Sequence, residues 1–208
     1  MALSGLRVIE LAGLAPTPFC GLMLADMGAD VIRVDRASSD HSTDNVCRGK
    51  RSIQIDLKND LGKECLMHLC SKADVLIEGF RPGVLESLSL SPESLLQRNP
   101  RLIIARLSGY GQTGPLRNVA GHDMNYVAIS GLLDFIGPAG EAPTFPANYL
   151  ADFAGGSYLC AFAILAALYS RERTGLGQVC ILPVTVERIV TIVARRLLIM
   201  PCVKALAI

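Results

Sequence analysis

The chain has 208 residues, half of them hydrophobic, and a formal net charge of +1 at pH 7. This length and composition predict one well-cored domain with room for a small second one, and they exclude an intrinsically disordered chain. The near-neutral charge argues against a nucleic-acid-binding protein, which usually carries a basic excess on one face. Any anion-binding site must therefore be local.

Seven cysteines and three histidines are spread along the chain without the spacing of a metal site. Their apolar surroundings and odd number favour reduced, buried thiols over a disulfide scaffold. Without a metal motif we expect no metal, and we also expect no prosthetic group. Residues 1–10 do not have the long apolar core of a signal peptide. Residues 153–169 are apolar but slightly short for a bilayer span, so we expect a buried helix there and no membrane span.

The first 35 residues alternate between strand and helix patterns. Residues 7–11 are short and β-branched and lie between glycines, which predicts a buried strand. Pro16 and Gly28 mark the ends of a helix, and residues 30–35 predict a second strand. Parallel α/β sheets are built from such units. The Gly-x-Gly-x-x-Gly fingerprint of the usual dinucleotide site is absent from the first turn.

Five cationic side chains surround the next predicted strand, which covers residues 53–58. They are Arg36, Arg48, Lys50, Arg51 and Lys58. Arginine binds phosphate through two hydrogen bonds and lysine binds it as a point charge, so this cluster predicts a site for a ligand with several phosphates. An ordinary solvated basic turn explains the same charges, and the charge run alone favours that alternative.

The middle of the chain continues the α/β pattern. Further elements are predicted at residues 60–71 (helix), 73–78 (strand), 84–88 and 93–98 (short helices), 101–107 (strand) and 179–182 (strand). In the first of these helices Leu61, Cys65 and Leu69 share the face that we expect to be buried, with Met67 and Cys70 near it. A glycine-rich loop at residues 108–115 brings backbone N–H groups within reach of a ligand, although a plain connector has the same composition.

His122 and Asp152 are the candidate residues for chemistry. A helix is predicted from residue 122 to residue 135, and a second one begins close to Asp152 after a proline-rich loop. An aspartate in the first turn of a helix is stabilised by the helix dipole and by free N–H groups. An isolated aspartate there is more often only a cap, so the residue types alone leave this pair a hypothesis.

Several ordered segments together resemble a known family. They include residues 31–36, Arg-Gly-Lys-Arg-Ser at 48–52, Phe-Arg-Pro-Gly at 80–83, residues 108–114, Gly-His-Asp-Met-Asn-Tyr at 121–126, residues 151–156 and Arg-Thr-Gly at 173–175. In this order they resemble the α-methylacyl-CoA racemases of the family III CoA-transferase superfamily, over residues 1–179. The resemblance implies a Rossmann-like α/β large domain, a parallel sheet with helices on both faces, in a homodimer of interlocked subunits.

The resemblance also implies the site residues and the reaction. Coenzyme A, as part of the substrate, would contact Arg36, Ile55, Asp56, Leu57, Lys58, Gly121, His122, Asp123, Met124, Asn125 and Tyr126. His122 and Asp152 would be the acid/base pair that epimerises 2-methyl-branched acyl-CoA thioesters, in the fatty acid and bile acid metabolism of peroxisomes or mitochondria. Inverting a stereocentre next to a thioester requires one group that removes a proton and another that returns one from the opposite face, and this pair supplies both.

Two alternatives stay open at this point. Transferases of the superfamily use an aspartate at position 152 as a nucleophile but generally lack histidine at position 122, so the sequence favours a racemase. The family pattern stops near residue 179, and we expect residues 1–179 to form the CoA-binding large domain and residues 180–208 an atypical tail, truncated before the small domain. An inactive CoA-binding remnant is therefore the other alternative. The last residues are not a peroxisomal Ser-Lys-Leu signal.

Overall fold

A computed structural model describes residues 1–37 and 45–185 of the chain. Its elements are β1 (Arg7–Leu11), α1 (Pro16–Asp26), β2 (Asp30–Asp35), β3 (Lys50–Gln54), α2 (Asp60–Lys72), β4 (Val75–Glu78), α3 (Val84–Ser87), α4 (Pro92–Arg98), β5 (Ile103–Ser108), α5 (Asp123–Ile129), a 3₁₀ helix (Leu132–Phe135), a π-helix (Tyr149–Tyr158), α6 (Leu159–Thr174) and β6 (Val179–Pro183). Most of the predicted tail lies outside the described residues.

All six strands form one parallel sheet in the order β3-β2-β1-β4-β5-β6. The chain first builds outward from β1 to β3 and then returns to β4 on the other side of β1. Ligands of such sheets bind at the carboxyl ends of the strands, at the point where the order reverses. The predicted α/β fold class is confirmed, and it directs attention to the carboxyl ends of β1 and β4.

The sheet separates two hydrophobic cores. On one face Val8 of β1 belongs to the cluster that includes Leu24 of α1 and Ile164 of α6. On the other face the next residue, Ile9, packs in a cluster with Leu66 of α2. Successive strand residues point to opposite faces, and burying each such side chain contributes roughly 1.5–3 kcal/mol. Helices on both faces thus hold the strand ends in place.

The predicted strand at residues 53–58 is wrong in its position. β3 covers Lys50–Gln54, and the chain leaves the sheet just after Ile55, whose N–H donates to the Asp35 carbonyl at 2.9 Å. Asp56 Oδ1 accepts the Lys58 N–H at 3.0 Å and so engages a donor that a strand would need. The alternating isoleucines therefore span a strand end and a turn.

The expected buried face of α2 is also wrong. Leu61 is 82 % exposed, whereas Leu66 and Cys70 are buried. A Cβ atom at Gly62 would overlap the carbonyl of Asp56. Gly62, Leu66 and Cys70 are spaced four residues apart, so the glycine marks the face that packs against the domain and turns Leu61 to solvent.

The predicted helix from residue 122 to residue 135 is interrupted. Gly131 has a φ angle of 78°, a left-handed conformation that ends α5 and starts the 3₁₀ helix. The Ser130 hydroxyl accepts the N–H of Leu132 at 3.3 Å and stabilises this break. As a result only two turns of helix follow His122.

Two expectations about the second half of the chain stay predictions. Among the described residues one continuous helical run, Tyr149–Thr174, is long and apolar enough to cross a membrane by length and composition, a test that the core helix of a soluble protein also passes. Its residues Ala161 and Ile164 pack in the core of the sheet domain. The predicted domain boundary at residue 179 falls at the first residue of β6, which pairs with β5 through Pro183.

Candidate functional site

A cleft of about 240 Å³ opens at the carboxyl ends of β1, β4 and β5. Thr17 follows β1, Phe80 and Arg81 follow β4, and Tyr110 follows β5 in its wall. The cleft therefore lies where the strand order reverses, the usual place for a ligand in this type of sheet.

His122 and Asp152 both line this cleft. His122 precedes α5, and its backbone N–H donates to Asn125 Oδ1 at 2.9 Å. Asp152 lies in the first turn of the π-helix, as the sequence predicts. The structure thus brings together two titratable side chains that are thirty positions apart in the sequence. Their catalytic roles stay a prediction.

The carboxylate of Asp123 connects the two helices. Its Oδ2 atom accepts the N–H groups of Ala151 and Asp152, each at 2.8 Å, and the residue is fully buried. These two N–H groups belong to the first turn of the π-helix, where no partner within the helix exists for them. Sequence reasoning placed Asp123 only among the CoA contacts and missed this link.

Asp152 has an unusual affinity for its proton. Burial, and after it the negative charge of Asp123, raise the pKa of its carboxyl from 3.8 to about 6, while His122 acts in the opposite direction and lowers that pKa. Near neutral pH the carboxyl therefore has access to both protonation states. A group that donates a proton to one epimer and accepts a proton from the other needs this property.

Tyr126 forms a rigid wall of the cleft. Its hydroxyl donates to the Gly121 carbonyl, and its ring packs edge-to-face on Tyr110 with a centroid distance of 5.0 Å. A Cβ atom on Gly121 would lie 2.7 Å from the Tyr126 ring, so only glycine fits there. Burial, together with the nearby Asp152, raises the pKa of the Tyr126 hydroxyl to about 12, so this group stays protonated.

Two arginines bring positive charge to the wall of the cleft. Arg81 and Arg117 both line it, and neither guanidinium forms an ion pair with the described part of the chain. Exposed guanidinium groups of this kind bind phosphate or carboxylate oxygens. Arg81 lies in the Phe-Arg-Pro-Gly segment that carries the resemblance but was not named as a site residue, and Arg117 was missed because nothing in its local sequence distinguishes it.

The residues implied as CoA contacts fall into two groups. Gly121, His122 and Tyr126 line the cleft, while Asp123 is buried beneath it and Met124 and Asn125 lie on the exposed side of α5. Arg36 and residues 55–58 follow β2 and β3 at the same edge of the sheet. With about 4.8 Å between neighbouring strands, the end of β3 lies roughly 10 Å from that of β1. Only an extended ligand can contact both groups.

Three of the five clustered cations are engaged within the protein. Arg48 pairs with Asp26 at 2.7 Å and Arg51 donates to Asp30 at 3.0 Å, both at the surface. Lys50 is buried, and its Nζ lies 2.7 Å from Glu10 Oε2 and donates to a carbonyl of α1. These three side chains stabilise the fold. Arg36 and Lys58, the other members of the cluster, follow β2 and β3 at the ligand-binding edge.

The chain matches a known protein family over most of its length. Residues 3–200 match CoA-transferase family III. The chain belongs to this family. Alpha-methylacyl-CoA racemase of Homo sapiens is 56 % identical over 179 residues, which cover 86 % of this chain and 47 % of that protein. The chain thus spans about half the length of the relatives that it matches.

Other members of CoA-transferase family III carry different names. The beta subunit of succinyl-CoA–L-malate CoA-transferase of Chloroflexus aurantiacus is 38 % identical, covering 86 % of this chain and 48 % of that protein. The crystal structure of a CAIB/BAIF family protein from Brucella suis superposes with a TM-score of 0.85 at 33 % identity, over 95 % of this chain and 57 % of that one. The resemblance inferred from the sequence is confirmed at the level of family and fold.

No metal site was expected from the sequence. Within residues 1–37 and 45–185, no three His, Cys, Asp or Glu side chains are grouped as metal ligands. Cys20, Cys160 and Cys180 are buried thiols, whereas Cys47 and Cys65 are exposed, so the expectation of buried thiols is wrong for these two residues. The absence of a metal and of a prosthetic group stays an expectation.

Proposed function

We propose that the chain carries the acid/base site of an isomerase that epimerises 2-methyl-branched acyl-CoA thioesters. The observation that carries the proposal is that His122 and Asp152 line one cleft at the reversal point of the sheet. The 56 % identity to a racemase supports the choice of reaction. The proposal covers both the reaction and the substrate class of the whole protein.

The two side chains exchange their roles with the direction of the reaction. For one epimer neutral His122 removes the α-proton, and protonated Asp152 delivers a proton to the opposite face of the enolate. For the other epimer ionised Asp152 is the base and protonated His122 is the acid. The raised pKa of Asp152, about 6, reduces the cost of its protonated form near neutral pH.

The enolate oxygen that forms between the two steps requires N–H donors. The N–H groups of Ala151 and Asp152 already donate to Asp123. The glycine-rich backbone of the cleft, at Gly109 and Gly121, remains to supply the donors. We propose that these glycines serve the reaction by allowing close approach of the thioester, since they carry no side chain of their own.

The CoA portion of the substrate would extend from the cleft along the carboxyl edge of the sheet. Arg81 and Arg117 in the cleft, and Arg36 and Lys58 farther along the edge, are the cations that we propose to contact its phosphates. Isothermal titration of CoA against Arg36→Ala and Lys58→Ala tests this path. Arg48→Ala, whose side chain pairs with Asp26, is the matched control.

Proton exchange tests the reaction itself. The purified chain is incubated with a 2-methylacyl-CoA in D₂O, and loss of the α-proton is followed by NMR. Exchange without transfer of CoA to a free acid supports the racemase. An acyl adduct trapped on Asp152, together with transfer of CoA between acids, would establish the transferase alternative, to which the relative from Chloroflexus aurantiacus lends weight. CoA binding without exchange would identify a non-catalytic remnant.

We also propose that the chain forms a homodimer. Tyr158, Phe162 and Tyr169 are more than half exposed and follow one side of α6, so the helix presents an aromatic stripe to solvent. Contiguous exposed apolar surface of this kind marks an interaction site. Sedimentation of the chain and of Phe162→Glu tests the dimer. A peroxisomal or mitochondrial location, proposed by resemblance alone, is tested by imaging a tagged chain.

A further inference from the structure

Asp123 is joined to both members of the proposed acid/base pair. It follows His122 directly in the chain, and its Oδ2 atom accepts the N–H of Asp152 itself and that of Ala151. We propose that Asp123 is a positioning residue, which caps the π-helix from α5 and thereby fixes the distance between His122 and Asp152. This inference rests on the function proposed for the pair.

The contact between Asp123 and the π-helix is rigid because it is buried and consists of two hydrogen bonds. Two N–H groups meet one carboxylate oxygen at 2.8 Å, and Asp123 is completely shielded from solvent. Water cannot replace hydrogen bonds in such a place, and breaking them would leave buried donors unsatisfied. Proton transfer requires the acid and the base within hydrogen-bonding reach of one carbon, and a misplacement of about 1 Å costs roughly 100-fold in rate.

The shielded carboxylate does not reach the substrate. Asp123 is absent from the lining of the cleft, whereas its neighbour His122 is part of it. The Asp123 side chain therefore acts on the site by holding together the N-termini of α5 and of the π-helix. Its predicted contact with CoA would have to come from backbone atoms. The other Asp123 oxygen, Oδ1, is buried without a hydrogen-bond partner in the described residues. Both carboxylate positions thus remain inside the protein.

The same carboxylate also acts on the charge of Asp152. The negative charge of Asp123 raises the pKa of Asp152, second only to burial, and His122 lowers it. Tyr126 stays protonated, and Arg81 and Arg117 are the cations that face the cleft from the ends of β4 and from the loop after β5. Asp123 is therefore the anion that helps to retain the proton on Asp152 among these groups.

Two substitutions separate positioning from charge. Asp123→Asn keeps an oxygen that accepts both N–H groups but removes the charge, whereas Asp123→Ala removes both. The pKa of Asp152 is measured from its ¹³C-labelled carboxyl by NMR, in each variant and again after adding His122→Gln. Asp134→Asn, an exposed change on the 3₁₀ helix, controls for net charge. This readout requires a folded chain but no catalytic activity.

We expect Asp123→Asn to lower the pKa of Asp152 by more than Asp134→Asn does. Adding His122→Gln should still raise that pKa in the Asn variant, because the two side chains remain adjacent. In Asp123→Ala the response to His122→Gln should disappear. A full response to His122→Gln in the Ala variant would overturn the positioning role, and an unchanged pKa in the Asn variant would overturn the effect of the Asp123 charge. If the Ala variant does not fold, Asp123→Ser, whose shorter side chain does not reach both N–H groups, takes its place in the same measurement.

The outcomes also separate this inference from the proposed function. If the parent chain exchanges the α-proton but Asp123 variants keep the parent pKa values, the reaction stands and the positioning role is wrong. If the pKa values shift as expected but the parent chain shows no exchange, the link between the helices is real and the proposed reaction is wrong. Each result therefore identifies which of the two statements has failed.

Discussion

Replacing Asp152 by asparagine should stabilise the protein above pH 6. The raised pKa, about 6 against an ordinary 3.8, means that the folded chain holds this proton more tightly than the unfolded chain. As the pH rises from about 4 to about 6, the carboxyl ionises in the unfolded chain before it ionises in the folded chain. This ionisation stabilises the unfolded state, so the free energy of unfolding falls. Two pKa units correspond to about 3 kcal/mol for a fully buried group. Because Asp152 is partly exposed, solvent screening reduces this to about 1 kcal/mol.

The test is urea denaturation of the parent chain and of Asp152→Asn at two pH values. At about pH 7.5 the variant should be more stable by about 1 kcal/mol, equivalent to roughly 2–4 °C in melting temperature. At about pH 4.5 most of this gain should be absent, because the carboxyl of the parent chain is then largely protonated in the folded state. The exposed Asp134→Asn serves as the control. A gain that does not depend on pH would refute the assigned pKa and its cause.

Two further substitutions test the packing around the cleft. Lys50→Ala should cost about 3 kcal/mol in unfolding free energy, because buried Glu10 loses the ammonium 2.7 Å away, whereas the exposed Arg51→Ala should cost less than about 1 kcal/mol. Equal losses would contradict the buried pair. Gly121→Ala should destabilise the chain by about 1–3 kcal/mol and weaken CoA binding in titration calorimetry, since its Cβ would lie 2.7 Å from a ring carbon. Gly13→Ala, whose Cβ meets only atoms 3.7 Å away, should do neither.

The sequence predicted most of the sheet because local signals agree with the tertiary structure there. Short β-branched runs predicted β1 and β2, and Pro16 and Gly28 bounded α1 correctly. The errors occurred where a polar side chain or a glycine acts over a few residues. Asp56 ends the pairing after β3, and Gly131 divides the predicted helix. The periodicity of hydrophobic residues does not reveal where a side chain competes with the backbone for hydrogen bonds.

The candidate site was only partly predictable. His122 and Asp152 were a hypothesis on residue types alone, the resemblance assigned them as an acid/base pair, and the position of Asp152 in a first turn followed from the sequence. The contacts of Asp123 could not be predicted from the sequence. Its carboxylate accepts hydrogen bonds from the N–H groups of Ala151 and Asp152, which lie in a segment that only the fold brings near. The buried pair of Lys50 and Glu10 was missed for the same reason, since a basic run in sequence does not reveal which lysine is buried.

The central claim is that His122 and Asp152 form a two-base pair on one acyl-CoA carbon. Exchange of the α-proton of a 2-methylacyl-CoA for solvent deuterium, followed by NMR, tests it most directly in the parent chain and in His122→Ala and Asp152→Ala. The account predicts exchange in the parent chain and its loss in both variants, while CoA binding is retained. Exchange that persists in either variant, or its absence in the parent chain, would contradict the claim.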